Sequence, residues 1–142
     1  MTPESVLNGS ITSTEVELFR KMRGAVERMP DVAWGGVLLS CHHVCHALAT
    51  VFEEVMAVDG IFGKSMEHGW LVLRETRRDG PVIADMYPIA GASPFLVHAY
   101  WVTPWAKLYQ PRLETIAEVQ SRDLNFGQHV MWVANRLRLV LN

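Results

Sequence analysis

The chain has 142 residues, 49% of them hydrophobic and 20% charged, with 13 Lys and Arg against 15 Asp and Glu for a net charge of −2. That length suits one domain able to bury ~70% of its unfolded surface, and the apolar fraction excludes global disorder. The near-neutral balance removes the electrostatic case for nucleic acid or an anionic membrane as the main partner. Met1-Thr2-Pro3-Glu4-Ser5-Val6-Leu7 lacks a basic region ahead of an apolar stretch. No segment nears ~18 consecutive apolar residues, so no membrane span is expected. The expectation is a single cytoplasmic domain over residues 1–142, with 1–11 a loose leader.

Thr12 and Glu15 have capping-box spacing. Val16, Phe19, Met22, Val26 and Met29 then recur at helical intervals up to Pro30, which predicts a first helix over residues 13–29. Asp31 to Gly36 reads as a loop. A second helix, with Ser40 as candidate N-cap, carries Cys41, Val44, Cys45, Leu48, Val51, Phe52, Val55 and Met56 on one stripe and ends at Asp59-Gly60. Beyond a Gly-containing loop, Trp70 to Arg74 is strand-like and Asp79-Gly80 is a hairpin turn. Val82 to Tyr87 forms a second strand ended by Pro88, Gly91 to Pro94 a turn, and Phe95 to Val102 a third strand. Pro111 to Gln120 reads as a short helix. Phe126, Val130, Val133, Leu137 and Val140 favour a helix over 123–141, despite the alternation Arg136-Leu137-Arg138-Leu139. The fold class is α+β: N-terminal helices, the second carrying the cysteine, packed on an antiparallel β-meander, then a C-terminal helix.

Both cysteines and three of the six histidines fall in Ser40-Cys41-His42-His43-Val44-Cys45-His46. No disulfide framework is expected, since two thiols so close cannot staple a fold. Cys41 sits where the helix begins, and the partial positive charge there favours a thiolate. His68 precedes the first strand and Asp85 lies in the next. A hairpin turning near Asp79-Gly80 makes the two neighbours after a modest offset or bulge. A carboxylate that orients an imidazole facing a thiol is the arrangement for acyl transfer. Cys45, one turn further into the helix, is the alternative nucleophile. Either cysteine taken alone reads as a small buried hydrophobe.

A cysteine opening a helix, then His68-Gly69-Trp70-Leu71-Val72-Leu73, then Ile83-Ala84-Asp85-Met86-Tyr87-Pro88, resembles the papain-like cysteine peptidase superfamily, and within it the transglutaminase-like core branch. The resemblance covers residues 40–101. It implies Cys41, His68 and Asp85 as a catalytic triad, a thioester acyl-enzyme, and hydrolysis, deamidation or transfer of a peptide or protein amide, with no cofactor. The interval of 27 residues from Cys41 to His68 is short for that group, and no Gln upstream completes an oxyanion hole. The backbone N–H of Cys41 and a donor from Trp34-Gly35-Gly36 are the substitutes. Trp34, Gly35, Trp70 and Trp105 are candidates for a substrate groove, Trp70 also for shielding the imidazole.

A different class of function is a non-catalytic interaction or zinc-binding domain that uses Cys41, Cys45, His42 and His46. His42 and His46 share a helical face, with the thiols on the adjacent one. His98 or His129 could complete such a site only through the fold.

Overall fold

The computed structural model describes residues 12–28, 33–34, 37–38, 40–75, 82–85, 96–99 and 108–141. Among them, in chain order, are α1 (Ser13–Arg28), β1 (Ala33–Trp34), β2 (Val37–Leu38), α2 (Cys41–Val51), β3 (Val55–Phe62), β4 (Met66–Leu73), β5 (Val82–Asp85), β6 (Leu96–Ala99), β7 (Tyr109–Pro111), α3 (Leu113–Arg122) and α4 (Phe126–Leu141). The class is α+β. β1 and β2 pair as a small hairpin where a loop was expected. The other five strands form one antiparallel sheet in the order β6-β5-β4-β3-β7.

α1 starts as its spacing predicts. The backbone N–H of Thr12 donates to Glu15 Oε1 at 2.8 Å, and that of Glu15 to Thr12 Oγ1 at 3.2 Å, so both halves of the capping box are made. α2 is shorter than the pattern suggests. It stops at Val51, with the Phe52 N–H on the Leu48 carbonyl, and Glu53-Glu54 turn the chain. The expected continuation to Asp59-Gly60 is instead β3. Val55 and Met56 fall in helical phase with the stripe by coincidence, but β3 gains eight paired positions against β4, from Val55 opposite Leu73 to Phe62 opposite Met66. Tertiary pairing overrides local phase here. Gly63, at φ 70°, makes the tight turn between the two strands. β4 therefore begins at Met66, before the expected Trp70, and His68 lies inside a strand rather than ahead of it. The expected turns at Asp79-Gly80 and Gly91-Pro94 lie outside the described residues, as does the leader.

β7 takes Pro111, expected to open the short helix, into a strand, and the helix starts at Leu113 instead. The strand returns the chain to the far edge of β3, with Tyr109 opposite Phe62. The two C-terminal helices form, and α4 settles the ambiguity at 136–139 in favour of helix.

The sheet is apolar on both faces. Leu71, Leu73, Val55, Val82 and Ala84 join the larger core with Phe19 and Met22 of α1, Val44, Cys45 and Leu48 of α2, and Val130, Val133 and Leu137 of α4. Each such large side chain, fully buried, contributes about 1.5–3 kcal/mol. Trp70, Ile83, Phe62 and Tyr109 make a second, smaller cluster. The alternation of Trp70 and Leu71 between clusters is the period of two expected of a strand. Among the described residues no helix is long and apolar enough to cross a membrane.

Candidate active site

Cys41 is the first residue of α2, half-buried, and its N-cap Ser40 is extended at φ −114°, ψ 175°. The start of the helix is fixed by an unusual partner. The Ser40 N–H donates to His43 Nδ1 at 3.0 Å, so a histidine fills the place Glu or Gln takes in a capping box. His43 Nε2 lies 2.8 Å from Asp123 Oδ2, and His129 Nδ1 meets the same oxygen. Asp123 is the C-cap of α3 and its Oδ1 accepts the Asn125 N–H. The helix carrying the thiol is thus tied to the corner between α3 and α4.

His43, Asp123 and His129 bring their donor atoms within 4.8 Å of one another, spacing that invites a metal reading. The tautomer argues otherwise. Because Nδ1 of His43 accepts a backbone N–H, its Nε2 carries the proton and donates to Asp123, leaving no lone pair for an ion. The cluster is a hydrogen-bonded bracket. The alternative zinc set of Cys41, Cys45, His42 and His46 is not among the described groups whose donor atoms converge. Cys45 is fully buried in the larger core. Burial, then the nearby charge of Cys41, Asp85 and Asp59, raises its pKa well above the ordinary value, so it stays a thiol.

The sheet supplies the other half of the site. β4 and β5 pair with Leu71 opposite Ala84 and Val72 opposite Ile83. Extending that register sets Asp85 across from Trp70, with His68 one diagonal step away and on the same face. His68 Nε2 lies 2.7 Å from Asp85 Oδ2, and the Tyr109 hydroxyl donates to that same oxygen at 2.7 Å. His68 is 3% exposed and Asp85 0%. Trp70, 1% exposed, stacks beside the imidazole at 6.2 Å and 25°. It therefore backs the histidine and lines no open groove, contrary to one of its two expected roles. Trp34 is described in backbone only, as part of β1, and Gly35 and Trp105 lie outside the described residues.

With Nε2 held by Asp85, Nδ1 is the ring atom of His68 left for the thiol. The Cys41 thiol lies within electrostatic reach of two imidazoles, His42 and His68. Burial raises the thiol pKa, but the two imidazoles outweigh it and bring it down to about 6. Burial disfavours the charged form of His68, yet Asp85 first and Cys41 second lift it to about 9. Between those values the pair is thiolate and imidazolium. The expected triad of Cys41, His68 and Asp85 is brought together.

The structure adds residues that sequence reasoning left unexplained. His42 Nδ1 lies 2.7 Å from Asp59 Oδ1, and its Nε2 lies 3.2 Å from Glu67 Oε1. His46 Nε2 binds the other oxygen of Asp59 at 2.7 Å. Asp59 is half-buried, which raises its pKa, but His42 and His46 together pull it down to about 2. Gly69 leaves the room this pair needs: a Cβ there would stand 3.0 Å from His42 Nδ1 and 3.4 Å from Asp59 Oδ1. The small residue after His68 was the one visible signal. Compared with family models, with curated proteins and with solved structures, the chain matches none of them.

Proposed function

We propose that the protein is a cysteine-dependent hydrolase or acyltransferase, with a papain-like or transglutaminase-like core, acting on a peptide or protein amide. The observation that carries this reading is the His68–Asp85 pair at 2.7 Å, with the Cys41 thiol at the helix start within the electrostatic reach of the imidazole. The thiolate attacks the amide carbonyl carbon, a C–S bond forms, and the carbonyl electron pair moves to oxygen. First-turn N–H groups of a helix lack an intrahelical acceptor, so the Cys41 N–H is available to that oxyanion. As the intermediate collapses, the C–N bond breaks and His68 gives its proton to the departing nitrogen. His68, now neutral, takes a proton from water or an acceptor amine that attacks the thioester, and Cys41 leaves as thiolate. Asp85 keeps the ring oriented and stabilises its charged form. Tyr109, on the same carboxylate oxygen, fixes Asp85. Two free thiols fit a cytoplasmic setting.

Alkylation by iodoacetamide, followed residue by residue in a mass spectrometer, tests the reading. Cys41 should react much faster than free cysteine at pH 7, and His68→Ala should slow it. Equal rates in all three would refute the triad.

A further inference from the structure

Among the described residues two imidazoles act on the Cys41 thiol, and their surroundings differ. His68 has, among the described residues, one carboxylate, on Nε2, leaving Nδ1 to give and take a proton. His42 has two. Asp59 Oδ1 faces its Nδ1 at 2.7 Å and Glu67 Oε1 faces its Nε2 at 3.2 Å, in a ring that is 2% exposed. Asp59 is hydrogen-bonded to Nδ1 and Glu67 places a second negative charge beside Nε2, and negative charge at both ends of a buried ring favours the form in which both nitrogens carry hydrogen. We infer that His42 is a second catalytic histidine, a permanent imidazolium that holds Cys41 as thiolate and takes no part in proton transfer. The inference rests on Cys41 being the nucleophile.

The chemistry gives such a charge a purpose. His68 is charged beside the resting thiolate, gives its proton to the leaving group, and regains one as water or an amine attacks the thioester. A second cation that keeps its protons stands beside the sulfur throughout that cycle. Among the described residues the charged neighbours of His42 fit this role. From α2 come Cys41 and His43, with His46 sharing Asp59. From β3 comes Asp59, from β4 Glu67, and Arg122 of α3 pairs with Glu67 in turn. Asp59 bonds the ring and Glu67 adds a second negative charge beside it, while His46 and Arg122 hold the carboxylates.

The test is the pH dependence of iodoacetamide alkylation at Cys41 in the full chain, with p-nitrophenyl acetate turnover alongside. In the wild type the alkylation inflection should fall near pH 6. His42→Gln should move it up by about one pH unit or more, slowing alkylation at low pH about tenfold. Turnover in this variant should recover as the pH rises and the thiol ionises. His42→Lys, which restores a charge without a ring, should return the inflection toward the wild-type value. His68→Ala should lose turnover at every pH. An unchanged inflection in His42→Gln, or turnover surviving in His68→Ala, overturns the inference. A wild-type inflection near that of free cysteine overturns the nucleophile reading beneath it. In the unmutated protein, 15N NMR at about pH 8 should find both ring nitrogens of His42 protonated, independent of any folding defect. A lone pair on either nitrogen overturns the inference.

Discussion

Replacing Asp85 by Asn keeps the shape of the side chain and removes its charge from a position that is 0% exposed. His68 is then left with burial, which disfavours its cation, opposed by Cys41 alone. A nearby carboxylate accounts for ~1–3 pKa units in such settings. His68 should therefore fall from about 9 to roughly 6–8. A two-unit fall lowers the imidazolium fraction at pH 8 about tenfold. The rate of acyl-enzyme formation should rise through the thiol inflection near pH 6 and decline near pH 9 in the wild type. In Asp85→Asn the alkaline limb should move down and the plateau narrow. Stability changes in the matching sense. A histidine whose folded pKa lies above its ordinary 6.5 contributes stability that is complete below pH 6.5 and is lost as pH rises through about 9. The variant should therefore lose up to about 3 kcal/mol at pH 6, measured by urea denaturation, and less above pH 9. An alkaline limb that stays near pH 9 in Asp85→Asn would refute the reasoning.

Tyr109→Phe removes the second donor on Asp85 Oδ2 and should cost about 1.5–3 kcal/mol in urea denaturation, with a smaller loss of rate than Asp85→Asn. Gly69→Ala should push the His42 ring off Asp59 by a few tenths of an ångström; the alkylation inflection of Cys41 should rise while the melting temperature changes little. Asp123→Ala strips the acceptor from two buried imidazoles and should destabilise the fold by about 3 kcal/mol, read by denaturation, while freeing the start of α2. The pKa of His43, lowered mainly by burial, adds a pH dependence of known sign: this stability is present above 6.5 and declines as pH falls below it. Because His42 and His68 gain stability over the same range, the decline should be read as the difference between wild type and His43→Gln in urea titrations from pH 7 to 5.

Much of this site was legible because its chemistry is carried by residue types in a fixed order. A thiol at a helix start, a histidine followed by Gly and Trp, and an aspartate stranded among Val82, Ile83 and Ala84 each ask for a partner, and they satisfy one another. The helices α1 and α4 were readable from their apolar period. β3 was not, since Val55 and Met56 continue the helical phase and only pairing with β4, made elsewhere in the chain, declares a strand. Misreading β3 hid Asp59, which looked like the end of a helix, and without Asp59 neither His42 nor His46 had a visible purpose. His43 is bonded to a residue 80 positions away, a distance no local spacing encodes. The cluster of histidines that suggested one metal site is divided by the fold: His42 and His46 go to Asp59, and His43 goes to Asp123.

The most direct test of the account is the intact mass of the protein after brief exposure to p-nitrophenyl acetate and an acid quench. One acetyl group on Cys41, absent in Cys41→Ser and persistent in the slowly deacylating His68→Ala, is the predicted result. No adduct, or one carried by Cys45, would contradict it.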